Sequence, residues 1–150
     1  MLTLTRTDST NTDFINLVKE LTAYFAVIDG EDHEFYNQFN KISSLKYVIV
    51  AYENNKAVGC GAIREFSTSA IEVKRMYVLP ECRGKGVASK ILSELERWAK
   101  ELGYNTCILE THKKQADAVA LYNKAGYKVI PNYGQYANME TSICFEKTLS

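Results

Sequence analysis

Apolar residues recur along this chain with two rhythms, a period of two that reads as strand and a period near 3.6 that reads as helix. Leu2 to Arg6 alternates and predicts a first strand. Ser9 or Asn11 is placed to cap a helix with Phe14, Leu17, Val18, Leu21 and Phe25 on one face, ending near Asp29-Gly30. A second short helix carrying Phe35, Tyr36 and Phe39 is expected over Asp32 to Asn40. Strands follow from Lys46 to Tyr52 and from Lys56 to Glu65, turned by Asn54-Asn55, and a strand from Ile71 to Leu79 completes an antiparallel meander. In that last strand Ile71, Val73, Met76 and Val78 are apolar, Glu72, Lys74 and Arg75 are interleaved, and Pro80 ends it.

Val87, Ala88, Ile91, Leu92, Leu95, Trp98, Ala99 and Leu102 then recur at helical spacing, opposite Lys90, Glu94, Glu96, Arg97, Lys100 and Glu101, until Gly103 stops the helix. Tyr104 to Glu110 reads as a strand reached by a right-handed crossover, hence parallel to the Ile71 strand. Gln115 to Ala125 is the next helix, stopped by Gly126. Tyr127 to Ile130 and Ser142 to Lys147 form a closing strand pair around the loop from Pro131 to Asn138. No repeat, low-complexity tract or interdomain linker breaks this order. The pattern is one α/β domain on a mixed sheet.

A chain of 150 residues is the size of one domain with a real core and has no room for a second. With 46% apolar and 24% charged residues its composition is that of a soluble globular protein. The 18 basic and 18 acidic side chains cancel, so no global field draws the protein to nucleic acid or membrane, and any anion site must be local. A nucleic-acid-binding module would need a basic stripe that is not there. Met1 to Arg6 has neither the apolar region of a signal peptide nor a lipidation signal, which leads us to expect a cytoplasmic protein. Cys60, Cys82, Cys107 and Cys144 form no Cys-x-x-Cys pair, and only His33 and His112 are available beside them, so free thiols and no metal are expected. Cys60, Cys107 and Cys144 sit in apolar runs and read as small core residues; Cys82 reads as a loop residue.

The chemistry-bearing segment is Pro80-Glu81-Cys82-Arg83-Gly84-Lys85-Gly86-Val87-Ala88, a basic, glycine-rich turn between a strand and an amphipathic helix. Glycines let the backbone approach a ligand, and the first N–H groups of a helix present partial positive charge to an anion. Arg83 and Lys85 add full charges at the same spot. A P-loop would need four residues between its glycines and a hydroxyl after the lysine. A dinucleotide fingerprint would need Gly where Ser89 stands. An ordinary turn has no need of two glycines flanked by Arg and Lys. The segment reads as a phosphate cradle.

Arg83-x-x-Gly86-x-Ala88, after a strand ending Val78-Leu79-Pro80, resembles the acyl-CoA-binding motif Arg/Gln-x-x-Gly-x-Gly/Ala of the GCN5-related N-acetyltransferase (GNAT) superfamily. Downstream, Leu109-Glu110-Thr111, then Gln115, then Ala120 through Tyr127 resemble that superfamily's strand-helix segment ending Leu-Tyr-x-x-x-Gly-Phe/Tyr. The likeness covers most of the chain, more weakly at both ends. It implies a single-domain fold with a mixed central sheet, splayed parallel strands and flanking helices, and it implies acetyl-CoA as co-substrate. In such a fold the pyrophosphate lies on the amides of Gly84, Lys85, Gly86, Val87, Ala88 and Ser89, beside Arg83. The pantetheine arm bonds to a freed strand edge at Met76, Tyr77 and Val78, an addition to a sheet edge with a cofactor in place of a peptide. Gln115 fills a cofactor-contacting position that often holds Asn.

Acetyl transfer to an amine needs a base for the ammonium, a donor for the thioester oxygen and an acid for the departing sulfur. The resemblance implies that Glu72 or Glu110 is the base, directly or through water; each also reads as a solvated strand carboxylate. It implies that Tyr122 contacts the cofactor and protonates the sulfur; packing in the core is its alternative. The oxyanion falls to a backbone N–H near Tyr77 or Val78. No serine or cysteine nucleophile is required, because the superfamily usually transfers directly within a ternary complex.

Acceptor choice is less legible. Tyr133, Gln135 and Tyr136 come from the closing loop, and Arg64, Lys74 and Arg75 reach the cleft if strand phase turns them inward, being surface charges otherwise. Arg75 or Arg64 on a substrate carboxylate would favour a free amino acid or similar small metabolite. Tyr24, His33, Phe35 and Tyr36 either wall the amine site or simply pack. The expectation is an N-acetyltransferase for a small-molecule primary amine. A peptide or protein amine, and a non-catalytic acyl-CoA-binding sensor on the same fold, are its alternatives. Superfamily members are often dimers through edge strands or the C-terminal region, which leaves a homodimer open.

Overall fold

The structure, a computed structural model, describes residues 1–29 and 45–150. Its strands are β1 (Leu2–Thr7), β2 (Tyr47–Glu53), β3 (Lys56–Glu65), β4 (Ala70–Val78), β5 (Thr106–His112), β6 (Lys128–Ile130) and β7 (Ser142–Thr148). They form one mixed sheet in the order β1-β2-β3-β4-β5-β7-β6, so β7 slots between β5 and β6. Three helices flank it among the described residues: α1 (Thr12–Asp29), α2 (Val87–Glu101) and α3 (Ala116–Lys124). This is the α/β fold that the resemblance implies. The short helix expected over Asp32 to Asn40, and the side chain of Phe25, lie outside the described residues. Among these residues no helix is long and apolar enough to cross a membrane.

Each main helix covers one face of the sheet. The Asn11 side-chain oxygen accepts the Phe14 N–H at 2.9 Å and starts α1. Phe14, Leu17, Val18 and Leu21 then pack on Val48, Val50, Cys60, Ala62 and Tyr77. On the opposite face, α2 buries Val87, Ile91, Leu92, Leu95 and Ala99 against Ile49, Ile63, Ile71, Val73 and Leu109. Full burial of an Ile or Leu side chain contributes about 1.5–3 kcal/mol, so this row alone holds α2 firmly. It sits close because β3 carries Gly61. A Cβ there would lie 2.6 Å from Met76 Sδ and 2.9 Å from both Ile91 Cγ2 and Leu95 Cδ1.

Two irregularities in β4 create the site. The β3–β4 ladder pairs Cys60 with Tyr77 but Ala62 with Lys74, which leaves one extra residue on β4. At this bulge Arg75 has φ +61°, the left-handed region. The bulge reverses strand parity: Ile71 and Val73 before it, and Met76 and Val78 after it, all face α2. The second irregularity is the partnership with β5. The two strands are parallel neighbours only at Ala70–Thr106, Ile71–Cys107 and Glu72–Ile108. Beyond Glu72 they part, while β5 stays paired with β7 along its whole length.

Candidate active site

Where β4 and β5 separate, a cleft of about 640 Å³ opens between the start of α2, the start of α3 and Tyr136. It brings together Glu72, Arg75, Met76, Tyr77, Val78, Arg83, Gly84, Gly86, Val87, Ala88, Ser89, Glu110, Gln115, Tyr122 and Tyr136. Lys85 is exposed and stands outside the lining. Arg64 and Tyr133 also stand outside it, behind Glu72.

The cradle end is built from backbone. After a single 3-10 turn at Pro80–Cys82, Gly84 (φ +80°) and Gly86 (φ +82°) take left-handed conformations that other residues adopt only under strain. Gly86 is the N-cap of α2 and no side chain caps the helix, so its first amides are available to a ligand. Nothing lies within 4 Å of where a Cβ would sit on either glycine. Arg83 departs from the simple expectation of a free charge. Its Nε donates to the Val78 carbonyl at 2.9 Å, and its guanidinium lies 5.5 Å from the Tyr77 ring centre and 5.6 Å from that of Tyr24. Arg83 therefore fastens the loop to β4. The positive character of the cradle comes from the helix amides together with Arg83 and Lys114, which line the cleft.

The strand edge follows from alternation. The Leu79 N–H donates to the Val58 carbonyl on β3 at 2.9 Å, so the main-chain groups of Tyr77 also face β3, and those of Met76 and Val78 face the gap. The Val78 carbonyl is held by Arg83, which leaves its N–H, with Met76, to meet a ligand. Tyr77 contributes its ring rather than its backbone. The backbone donor for an oxyanion thus moves from the Tyr77–Val78 pair to Val78 or Met76.

Opposite this edge, Tyr122 is buried edge-on to Tyr127 with ring centres 5.7 Å apart. Burial, reinforced by the nearby Glu110 charge, pushes its hydroxyl well above the usual tyrosine value, so it carries its proton at any physiological pH. Thr111 Oγ1 donates to Gln115 Oε1 at 2.5 Å, so a ligand meets the Gln115 NH2 group.

The two candidate carboxylates differ in setting. Glu72 is 2% exposed. Its Oε2 accepts from the Tyr133 hydroxyl at 2.5 Å, and its Oε1 lies 3.3 Å from Arg64 Nη2 and 3.9 Å from Lys74 Nζ. Both oxygens are thereby occupied. Glu110 is half-buried on the cleft wall, where Ser142 Oγ donates to its Oε2 at 2.6 Å. Neither Ser142 nor Thr111 was singled out in the sequence, because a hydroxyl that orients a neighbour leaves no pattern in spacing. Tyr133 and Tyr136 pack edge to face with ring centres 5.8 Å apart, and burial raises both hydroxyls.

Lys74, on the same strand face as Glu72, and Arg75, at the bulge, are buried at 9% and 8% exposure, so their reading as surface charges does not hold. Lys74 Nζ donates to Tyr136 Oη at 3.4 Å. Burial lowers the Lys74 ammonium from its ordinary value and pushes the Arg75 guanidinium down to about 10. The Tyr24 ring joins the cleft wall, whereas His33, Phe35 and Tyr36 lie outside the described residues. Among the described residues no group of three or more His, Cys, Asp or Glu is gathered to hold a metal. Cys60, Cys107 and Cys144 are buried free thiols.

Comparison with known proteins agrees with this geometry. Residues 14–127 match the Acetyltransferase (GNAT) family. The IAA acetyltransferase of Azospirillum brasilense is 36% identical over 102 residues, 67% of this chain and 67% of that protein. The solved structure of a candidate acyl-CoA N-acyltransferase from Klebsiella pneumoniae superposes with a TM-score of 0.84 at 30% identity, covering 100% of this chain and 99% of that one. The PaiA N-acetyltransferase of Thermoplasma acidophilum, solved in complex with coenzyme A, shares the fold with a TM-score of 0.72 at 19% identity, covering 99% of each chain.

Proposed function

The chain belongs to the acetyltransferase (GNAT) family and is an N-acetyltransferase by that membership, and we propose that it uses acetyl-CoA to acetylate the primary amine of a small metabolite by direct transfer in a ternary complex. The observation that carries this reading is the gap between β4 and β5. A diphosphate acceptor, the uncapped start of α2, stands at its mouth, and a carboxylate and a buried phenol stand further in. The residues fit coenzyme A. The left-handed glycines leave room for a diphosphate against the α2 amides, and the released edge at Met76 and Val78 offers main-chain partners to the two pantetheine amides.

Bound acetyl-CoA supplies an acetyl group activated as a thioester. Around it, each residue has one task. An alkyl ammonium titrates near 10.4, about the reference value of lysine, so at neutral pH a base must remove its proton. Glu110 takes that role, directly or through water, because it is half-buried on the cleft wall where Ser142 orients it, whereas Glu72 is 2% exposed and tied to Tyr133 and Arg64. Glu72 instead holds Arg64 and Tyr133 behind the site. The N–H of Val78 or Met76, on the released strand edge, would meet the thioester oxygen as a fixed dipole. Tyr122 gives its proton to the sulfur as the C–S bond breaks. One C–N bond forms and one C–S bond breaks. The ammonium sheds two protons, the first to Glu110 and the second to solvent as its nitrogen becomes an amide. Tyr122 loses one to the sulfur, and solvent exchange restores both side chains with one proton released overall.

Calorimetry with CoA tests the cofactor site, and thiol release from acetyl-CoA across a panel of amines tests the transfer. Binding together with amine-dependent release is expected. Tight CoA binding with no amine-dependent release, protein substrates included, would make the chain an acyl-CoA sensor instead.

A further inference from the structure

Arg75 takes no part in that chemistry, yet the fold keeps it in a costly state. It occupies the β4 bulge at φ +61° and is 8% exposed on the cleft wall. Among the described residues its guanidinium makes no hydrogen bond and no ion pair. Glu72, the one carboxylate classed as buried among the described residues, is already shared by Arg64, Lys74 and Tyr133. Its charged influences include Arg64 and no carboxylate, whereas Lys74 beside it feels both Glu72 and Glu110. A buried guanidinium with five donors and no acceptor is a site with its partner missing.

The missing partner is not the cofactor diphosphate. Val78 lies three positions along the strand from Arg75, about 10 Å, and the cradle lies beyond Val78. Arg75 also neighbours Cys60 and Tyr136, and Cys60 packs with α1, whereas α2 and its amides occupy the other face. The anion therefore enters from the acceptor side. A guanidinium fork matches a carboxylate with two parallel hydrogen bonds, and the Lys74 ammonium, already directed at Tyr136, supplies a second charge next to it. Arg64, held by Glu72, is not available for the same task.

We propose that the acceptor is an amino carboxylate whose carboxylate is gripped by Arg75 with Lys74 alongside, which leaves its amine to reach Glu110. This rests on the acetyltransferase reading above and narrows it to one class of amine.

The test compares each amino acid with the amine left by its decarboxylation: alanine with ethylamine, phenylalanine with phenethylamine, lysine with cadaverine. In the wild-type protein kcat/KM should favour the carboxylate-bearing member of at least one pair by about tenfold or more, chiefly through KM. Arg75→Gln should shrink that ratio toward one, and Arg75→Lys should recover part of it. A wild-type ratio near one in every pair, or an undiminished ratio in Arg75→Gln, overturns the assignment. A second measurement needs no turnover and no variant: calorimetry of the CoA-loaded wild type with N-acetylalanine, N-acetylphenylalanine and N-acetyllysine against their decarboxylated counterparts. Heat only with carboxylates supports the site, and equal heats or none with the whole set overturn it. Failure of the broader reading is distinguishable, because it appears earlier as no heat with CoA itself.

Discussion

Replacing Arg75 by Met should make the unliganded protein more stable. Methionine keeps the length and most of the volume of the side chain while removing the charge, and the left-handed backbone is equally strained in both proteins. The magnitude follows from the depressed guanidinium: its fall to about 10 corresponds to a cost of about 3 kcal/mol. Imperfect repacking should return about 1 kcal/mol of this. At about 2–4 °C per kcal/mol for a chain of this size, the net effect is a rise in Tm of roughly 4–8 °C. The sign with pH is also defined. A cation whose folded value lies below its unfolded value bears the full penalty wherever both states are charged, and escapes it only as pH climbs through about 10. The advantage of Arg75→Met should therefore be flat between about pH 5 and 9. Calorimetric or fluorescence melts of both proteins across that range are the assay. A Tm that drops by several degrees would mean that the guanidinium has a partner in the resting protein, and the inference of an absent anion would go with it.

Three other substitutions probe the rest of the site. Gly61→Ala places a methyl among Met76, Ile91 and Leu95 and should destabilise the fold by about 1–3 kcal/mol in urea melts; a neutral result would show that α2 does not sit tightly on β3. Gly86→Glu strains a left-handed residue and puts a negative charge at the start of α2, so CoA affinity should fall at least about tenfold by calorimetry while the fold survives. Unchanged affinity would remove the cradle. Tyr122→Phe should reduce kcat by about a hundredfold or more while CoA binding changes little, and equal turnover would strip Tyr122 of its role as acid. Because burial raises this hydroxyl, the wild-type rate should also show no alkaline decline traceable to Tyr122 below about pH 10.

Much of the architecture was legible because local signals agree with it. The Asn11 cap, the Asn54-Asn55 turn with φ of 53° and 66°, the glycine loop and the α2 stripe all lie where spacing puts them. Strand ends moved by one or two residues, as with Thr106–His112 against an expected Tyr104 to Glu110. The bulge was also written in the chain, in apolar positions that step from Ile71 to Val73 and then skip to Met76 and Val78. That slip in phase falls at Arg75, while Lys74 shares the buried face of Glu72 by ordinary alternation. The polar connections were not legible. Tyr133 reaches Glu72 across 61 positions and Ser142 reaches Glu110 across 32, pairings that depend on β7 entering between β5 and β6. Arg83 stands out as a phosphate ligand by residue type and place, and only the position of the Val78 carbonyl shows that its Nε also fastens the loop.

The parting of β4 from β5 would be fragile if each strand depended on the other. Here β4 is secured by β3, and β5 is secured by seven consecutive residue pairs to β7. The sheet is thus two self-supporting panels welded along a short seam, and the pairing that holds each panel does not depend on what lies in the notch between them. An arriving thioester finds its berth already cut, and the entropy lost on docking falls on the flexible visitor rather than on the host.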